Sequence, residues 1–295
     1  MIFGIDLGSN TLRGVLMNEN GKILKSAEFI VGSARNLQAG GDLDPDAITR
    51  IKSALKKMDK IFDFKSCENS VCVATEAFRM AKNSAEFFDE LWREFGVEFK
   101  IIDGDDEAKF VRLGILNRLK LLNLNAKNPL CIDLGGASTE ISNNKHSKSF
   151  KFGIVRFCNE FSEFNDKIKN ANLVVSEARN FINSLKFDKI VLTSGVPTTM
   201  DALRKNLSYE SYQSDLINGE ILKFGEFDFW LERILNFSDE EAILKLGENR
   251  KDLMIAGIML LKSLLQDFAK TEFIVVDDGL REGICINAIR ELNPA

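Results

Sequence analysis

The same four residues, Ile-Asp-Leu-Gly, occur twice in this chain: in "FGIDLGSNTLRGVL", Phe3 to Leu16, and in "CIDLGGASTEI", Cys131 to Ile141. Each time an apolar run breaks into small and hydroxylated residues and then resumes, which reads as a strand, a tight loop and a returning strand. Such a unit at the head of each half predicts two similar domains facing one another with a ligand shared between them. The 295 residues are enough for each half to bury its own core. The polar "NLNAKNP" before Leu130 marks the boundary, giving domains over residues 1–124 and 125–282.

After the first hairpin, "GKILKSAEFIVG" follows an Asn-Gly turn and predicts a three-stranded meander. "DPDAITRIKSALKKMDKIF" has apolar residues at helical spacing and opens on Asp44-Pro45, a cap followed by a first-turn proline. "SVCVATEAFRMA" predicts a buried strand that breaks into a helix, which "AEFFDELWREFG" completes and Gly96 closes. "VEFKII" is the next strand and "DDEAKFVRLGILNRL" the next helix. The alternation restarts with "PLCIDLGGASTEIS" and "SKSFKFGIVRFC", then a long helical stretch, "KIVLTSGVPTTMDAL", an amphipathic helix opening on "ENRKDL", and "FIVVDDGLREGI". Strands alternating with helices make this an α/β protein.

Composition narrows the functions. The chain is 45% apolar and 28% charged, ordinary values for a soluble globular protein. Its formal charge of −5 argues against a nucleic-acid partner, so any polyanionic ligand must be met locally. Cys67, Cys72, Cys131, Cys158 and Cys285 form no C-x-x-C pair, which predicts a reduced cytoplasmic setting without metal–thiolate chemistry. The N-terminus enters a strand without a basic leader, and the apolar run "LMIAGIMLLKSLL" is short and broken by a Lys, so no membrane role is expected. The one His, His146, sits in the polar "NNKHSK", which excludes His-based triads and metal centres.

The loops carry their own chemistry. Gly8 and the pair Gly135-Gly136 let the backbone approach an anion and present N–H groups to it, and Ser9, Asn10, Thr11, Ser138 and Thr139 add polar side chains. Both loops therefore read as phosphate cradles. Asp6 and Asp133 stand at strand ends, where a carboxylate can hold a hydrated Mg2+ beside a phosphate. Glu140 returns across the second loop if that loop is a tight hairpin.

Taken in order, "DLGSNTLR", "VATEAFRMAKN", "IDGDDEAKFVRLGI", "IDLGGASTEI", "FGIVRF" and "DDGLREGI" resemble the exopolyphosphatase and guanosine pentaphosphate phosphohydrolase (Ppx/GppA) family along nearly the whole chain. That family is a branch of the sugar kinase, chaperone ATPase and actin superfamily. The resemblance implies two ribonuclease-H-like domains flanking a cleft, with the hairpin loops as opposing phosphate clamps. It also implies a last helix, residues 283–295, that returns to the first domain. Longer members add a helical HD domain, and the chain looks like the short form.

The implied activity is Mg2+-dependent removal of the terminal phosphate from inorganic polyphosphate or guanosine pentaphosphate by activated water. Mg2+ would act alone or with a monovalent cation, and a homodimer is compatible with the family. Glu107 matches the catalytic Glu that positions and deprotonates water, and Glu140 a second acid of the catalytic centre. Asp133, Glu140 and Asp6 are the implied metal ligands. Arg79 matches a phosphate-contacting Arg, beside Gly8, Ser9, Asn10, Thr11, Gly135, Gly136, Ala137, Ser138 and Thr139; Arg13 and Arg250 are weaker candidates.

Two departures bear on activity. Ala137 replaces the usual third glycine of the second loop, and "SGVPTT" stands where the family has Gly-Gly-Thr. An alanine at φ > 0 would be strained; otherwise its methyl only narrows the loop. The alternatives are a catalytically weak sensor of a polyphosphorylated ligand, motivated by Ala137, and an ATP-using kinase or ATPase of the same superfamily.

Overall fold

The computed structural model describes residues 1–37, 40–67 and 69–292. Residues 1–117 and 278–295 form one compact unit and residues 118–277 a second.

The first unit opens with the meander β1 (Ile2–Leu7), β2 (Thr11–Met17) and β3 (Ile23–Ile30). Helix α1 (Pro45–Phe62) follows; the Asp44 side chain accepts from the Asp46 N–H, and the proline fills the first helical position. A cap of this kind is worth about 1 kcal/mol. Ala47, Ile51, Ala54, Leu55, Met58 and Phe62 form its buried face.

After β4 (Ser70–Ala74), the single helix expected from the sequence is two: α2 (Glu76–Met80) and α3 (Ser84–Phe95). Tertiary contacts break it, for neither Pro nor Gly lies between. The Lys82 N–H donates to the Gly41 carbonyl, and the Asn83 side chain accepts from the Leu43 N–H at 2.9 Å. Gly96 closes α3 at φ 70°, the left-handed cap that glycine favours. Strand β5 (Phe99–Ile101) and helix α4 (Gly104–Leu121) follow. The chain passes from one unit to the other at residues 117/118, within α4, whereas the sequence reading placed the boundary at 124/125; the helix runs on past the division, so the polar stretch lies wholly in the second unit.

The second unit begins with β6 (Leu130–Leu134), β7 (Thr139–Ser142) and β8 (Ser147–Phe150). The segment after β8 is a short helix, α5 (Ile154–Glu160), and not a continued strand. There follow α6 (Phe164–Val174), α7 (Ser176–Ser184), β9 (Ile190–Thr193), α8 (Gly195–Arg204), α9 (Ser214–Ile217), β10 (Glu220–Lys223), α10 (Gly225–Leu235) and α11 (Asp239–Leu246). Helix α12 (Lys251–Leu265) precedes β11 (Glu272–Val275). It is not amphipathic: Met254 to Leu261, with Leu264 and Leu265, are all buried, because an apolar surface all round must be covered on every side.

The last helix, α13 (Leu280–Leu292), packs against β1, β2 and β4 of the first unit. Gly283 lets α13 also approach α4 closely, since a Cβ there would run into the Phe110 carbonyl. Residues 293–295 of the expected terminal helix lie outside the described residues.

Both sheets have the same core order. The first is β3-β2-β1-β4-β5 and the second β8-β7-β6-β9-β11, with β10 added at its edge. In each, the first three strands are antiparallel and the next two parallel to the first, the ribonuclease-H-like pattern. The carboxyl ends of β1, β4 and β5 therefore lie along one edge of their sheet, and those of β6, β9 and β11 along one edge of theirs. Such edges are where open α/β sheets bind ligands. Among the described residues no helix is long and apolar enough to cross a membrane.

Candidate active site

At the carboxyl end of β1, the Gly8 N–H donates to the Thr11 carbonyl at 2.9 Å and closes the first loop. The loop is held from behind: the Ser9 carbonyl accepts from Ala34 N–H, and the Asn10 carbonyl from Val31 and Gly32 N–H. Asp6 and Arg13 are cross-strand partners, and Arg13 is ion-paired to Glu28 at 2.8 Å. Asp6 and Ser9 are buried.

At the next two strand ends stand the two strongest candidates of this unit. Arg79 on α2 donates from Nε to Glu76 at 2.8 Å, from Nη1 to the Ile102 carbonyl, and from Nη2 to Glu107 at 2.9 Å. A guanidinium has five N–H donors, so two remain for a ligand. Burial would depress the Arg79 pKa, but the Glu107 charge and the hydrogen bonds to Glu76 and Glu107 outweigh it and raise the value above its ordinary range. Glu107 is only 7% exposed. It sits in the first turn of α4, which Asp103 caps by accepting from the Asp106 N–H at 2.8 Å. The structure thus brings Arg79 and Glu107 together at the ends of β4 and β5.

In the second unit the Gly135 N–H donates to the Ser138 carbonyl at 3.0 Å, the same closure as in the first loop. Asp133 and Glu140 face each other across the β6–β7 ladder. Glu140 is buried, and its Oε1 accepts from the Ser149 hydroxyl at 2.8 Å. Thr139 does not join them. It pairs with Leu134 on the opposite face, is fully buried, and donates its hydroxyl to the Phe152 carbonyl. Strand alternation allows only one of two successive residues to face the loop, and that residue is Glu140.

The departures resolve individually. Ala137 is buried and is not among the residues with positive φ, so its backbone carries no glycine-only strain. Ser194, at the turn from β9 into α8, does carry strain: its φ of 73° and ψ of −176° lie in a region otherwise reserved for glycine. Its hydroxyl donates to the Leu134 carbonyl at 2.8 Å, which ties that turn to the end of β6. Of the weaker candidates, Arg13 is committed to Glu28 and Arg250 lies over the Tyr209 ring.

Sequence reasoning missed Glu76 and Ser149, the partners that hold Arg79 and Glu140. Glu76 is signalled by its spacing, three residues before Arg79 on one helix. Ser149 is opposite Glu140 in the β7–β8 ladder, a register no local pattern announces. Asp201 was missed too. This fully buried α8 acid has its carboxyl pushed up to about 7 by burial, with the nearby Arg204 charge partly offsetting that and Glu220 and Glu226 adding to it.

Among the described residues no three His, Cys, Asp or Glu side chains are grouped to hold a metal. The Asp133–Glu140 pair nonetheless fits Mg2+, a hard cation that takes one or two carboxylates and fills its remaining positions with water and substrate phosphate.

The model of the Ppx/GppA phosphatase family matches residues 17–291. The chain belongs to this family. Its similarity to a bifunctional 3-dehydroquinate synthase/phosphatase of Fusobacterium nucleatum is 29% identity, covering 93% of this chain and 44% of that protein. With a guanosine-5'-triphosphate,3'-diphosphate pyrophosphatase of Aeromonas hydrophila it shares 24% identity over 95% of this chain and 58% of the relative. The chain thus spans about half the length of these curated relatives. The crystal structure of the Ppx/GppA family member of Aquifex aeolicus superposes with a TM-score of 0.78 at 26% identity, covering 100% of this chain and 99% of that one.

Proposed function

We propose that this Ppx/GppA member is a phosphohydrolase that removes the terminal phosphate of inorganic polyphosphate or guanosine pentaphosphate. The observation that carries the reading is the buried Glu107 held by Arg79 at adjoining strand ends. In the proposed reaction water adds its oxygen to the terminal phosphorus and passes a proton to a Glu107 carboxylate oxygen. The bridging P–O bond breaks, and the bridging oxygen keeps the electron pair. Arg79 fixes the Glu107 carboxylate and turns its two remaining N–H groups to phosphoryl oxygens, where a planar guanidinium neutralises charge.

Asp133 and Glu140 would hold Mg2+, which when bound neutralises phosphoryl oxygens. Ser149 would orient Glu140 for that task by donating its hydroxyl to the Glu140 Oε1. The backbone of Ala137 is not at positive φ, which supports the enzyme reading over the weak-sensor alternative as far as strain is concerned.

The test is phosphate release from polyphosphate, guanosine pentaphosphate and ATP, measured side by side with Mg2+. The reading expects turnover of one or both of the first two and little of ATP. Turnover of ATP alone, or of none, would contradict it.

A further inference from the structure

The segment behind the second loop has no part in the mechanism above, yet it packs directly on the loop's backbone. Gly153, just before α5, is in extended backbone at φ −164° and ψ 172°, a conformation any residue adopts. What demands glycine there is space. A Cβ on residue 153 would stand 2.6 Å from the Ala137 nitrogen and from the Gly136 carbonyl carbon, and 2.7 Å from the Ala137 carbonyl carbon. All three are backbone atoms of the loop, so no side chain could swing aside.

That close approach lets the chain entering α5 grip the loop by its carbonyls. The Ile154 N–H donates to the Gly135 carbonyl at 2.9 Å, and the Val155 and Arg156 N–H groups donate to the Gly136 carbonyl at 2.6 and 3.1 Å. In a planar trans peptide the C=O and the following N–H point in opposite directions. With the carbonyls of Gly135 and Gly136 turned toward α5, the N–H groups of Gly136 and Ala137 are turned away from it. Two successive N–H groups aimed to one side form a concavity suited to an anion.

We propose that Gly153 is a positioning residue: its missing side chain seats the loop against α5 and so aims the Gly136 and Ala137 N–H groups at a phosphoryl group of the substrate. This rests on the phosphohydrolase reading. The Gly135 N–H takes no part, since it is committed to Ser138 within the loop.

The test has two arms. In the first, Gly153→Ala is assayed on polyphosphate, with kcat and KM separated and normalised to folded protein. Displacing the loop should lower kcat by about 10²-fold, the cost of misplacing such a group by an ångström, while KM changes little. A variant that is merely less stable, with wild-type kcat per folded molecule, overturns the proposal. The second arm uses wild-type protein labelled with 15N at Gly and Ala, titrated with tripolyphosphate, and decides the matter if the variant does not fold. The Gly136 and Ala137 amide resonances should move and that of Gly135 should stay. If the enzyme turns over substrate and those two amides do not respond, the aiming role fails and the phosphohydrolase reading stands. If they respond in a protein that hydrolyses none of the three substrates, the reading of the activity fails and the aiming role stands.

Discussion

The hairpins after β1 and β6 have the same loop length, close with the same glycine-to-hydroxyl-residue backbone bond, and are both held from behind through their carbonyls. They differ in what faces the aspartate. Asp6 looks across at Arg13, Asp133 at Glu140. A guanidinium at the cross-strand position lowers an acid's attraction for a cation, whereas a second facing acid adds to it. On the proposed reading a common backbone cradle serves phosphate twice, and the residue seven positions after the aspartate favours the second loop for the metal. On that reading Asp6, which the resemblance offers as a third metal ligand, is expected to contribute less than Asp133 and Glu140.

The same contrast recurs where the last parallel strand of each sheet runs into a helix. Glu107, in the first turn of α4, reaches out to Arg79. Glu282, in the first turn of α13, is fully buried and turns back to accept from the Gly279 N–H at 2.9 Å. The largest expected effect separates them. Glu107→Gln should keep ligand binding and lower turnover by at least ~10²-fold, as removal of a general base does. Glu282→Gln should leave turnover per folded molecule unchanged and cost roughly 1–3 kcal/mol of stability, the penalty for disturbing a buried hydrogen-bonded group. Assays normalised to folded protein, alongside urea unfolding, check both; equal losses of turnover would erase the distinction.

How much of this was legible in the sequence follows from which interactions are local. The hairpins announced themselves because Ile-Asp-Leu-Gly is a contiguous pattern, and the Asp44-Pro45 start and the Gly96 stop are local signals as well. The break between α2 and α3 was not legible, because its cause is hydrogen bonding to residues 41 and 43, far back along the chain. Thr139 was misassigned because its neighbours Ser138 and Glu140 have the right chemistry, and only the strand's alternation shows that the hydroxyl faces Phe152. Edge strand β10, with no marked apolar alternation, was not read at all.

The smaller effects sharpen the comparison between α2 and α8, the helices after β4 and β9. Helix α8 holds the buried Asp201, whose pKa is raised to about 7 from 3.8. Between those values the native state holds a proton that the unfolded chain has lost. The stabilisation is therefore complete below about pH 4 and is lost as pH rises through about 7, at a slope of at most about 1.4 kcal/mol per pH unit. Unfolding midpoints of wild type and Asp201→Asn between pH 4 and 8 should diverge with rising pH in favour of the variant; parallel curves would show that Asp201 stays ionised. Smaller again is Ser194. Thr75 occupies the matching turn in the first unit at an ordinary φ of −119°, whereas Ser194 is at 73°. Ser194→Ala keeps the strain and loses the bond to Leu134, so urea unfolding should show a loss of about 1 kcal/mol. Ser194→Gly, which relieves the strain, should lose less.

The difference between the two hairpins is tested most directly by titrating phosphate release with Mg2+ in wild type, Asp133→Asn, Glu140→Gln and Asp6→Asn. Both second-hairpin variants should raise the half-saturating Mg2+ concentration by about tenfold or more, since weakening even an indirect metal partner costs that much, and Asp6→Asn should raise it far less. An Asp6→Asn shift as large as that of Asp133→Asn, or unchanged titrations in both second-hairpin variants, would contradict the assignment of the metal to the facing acids.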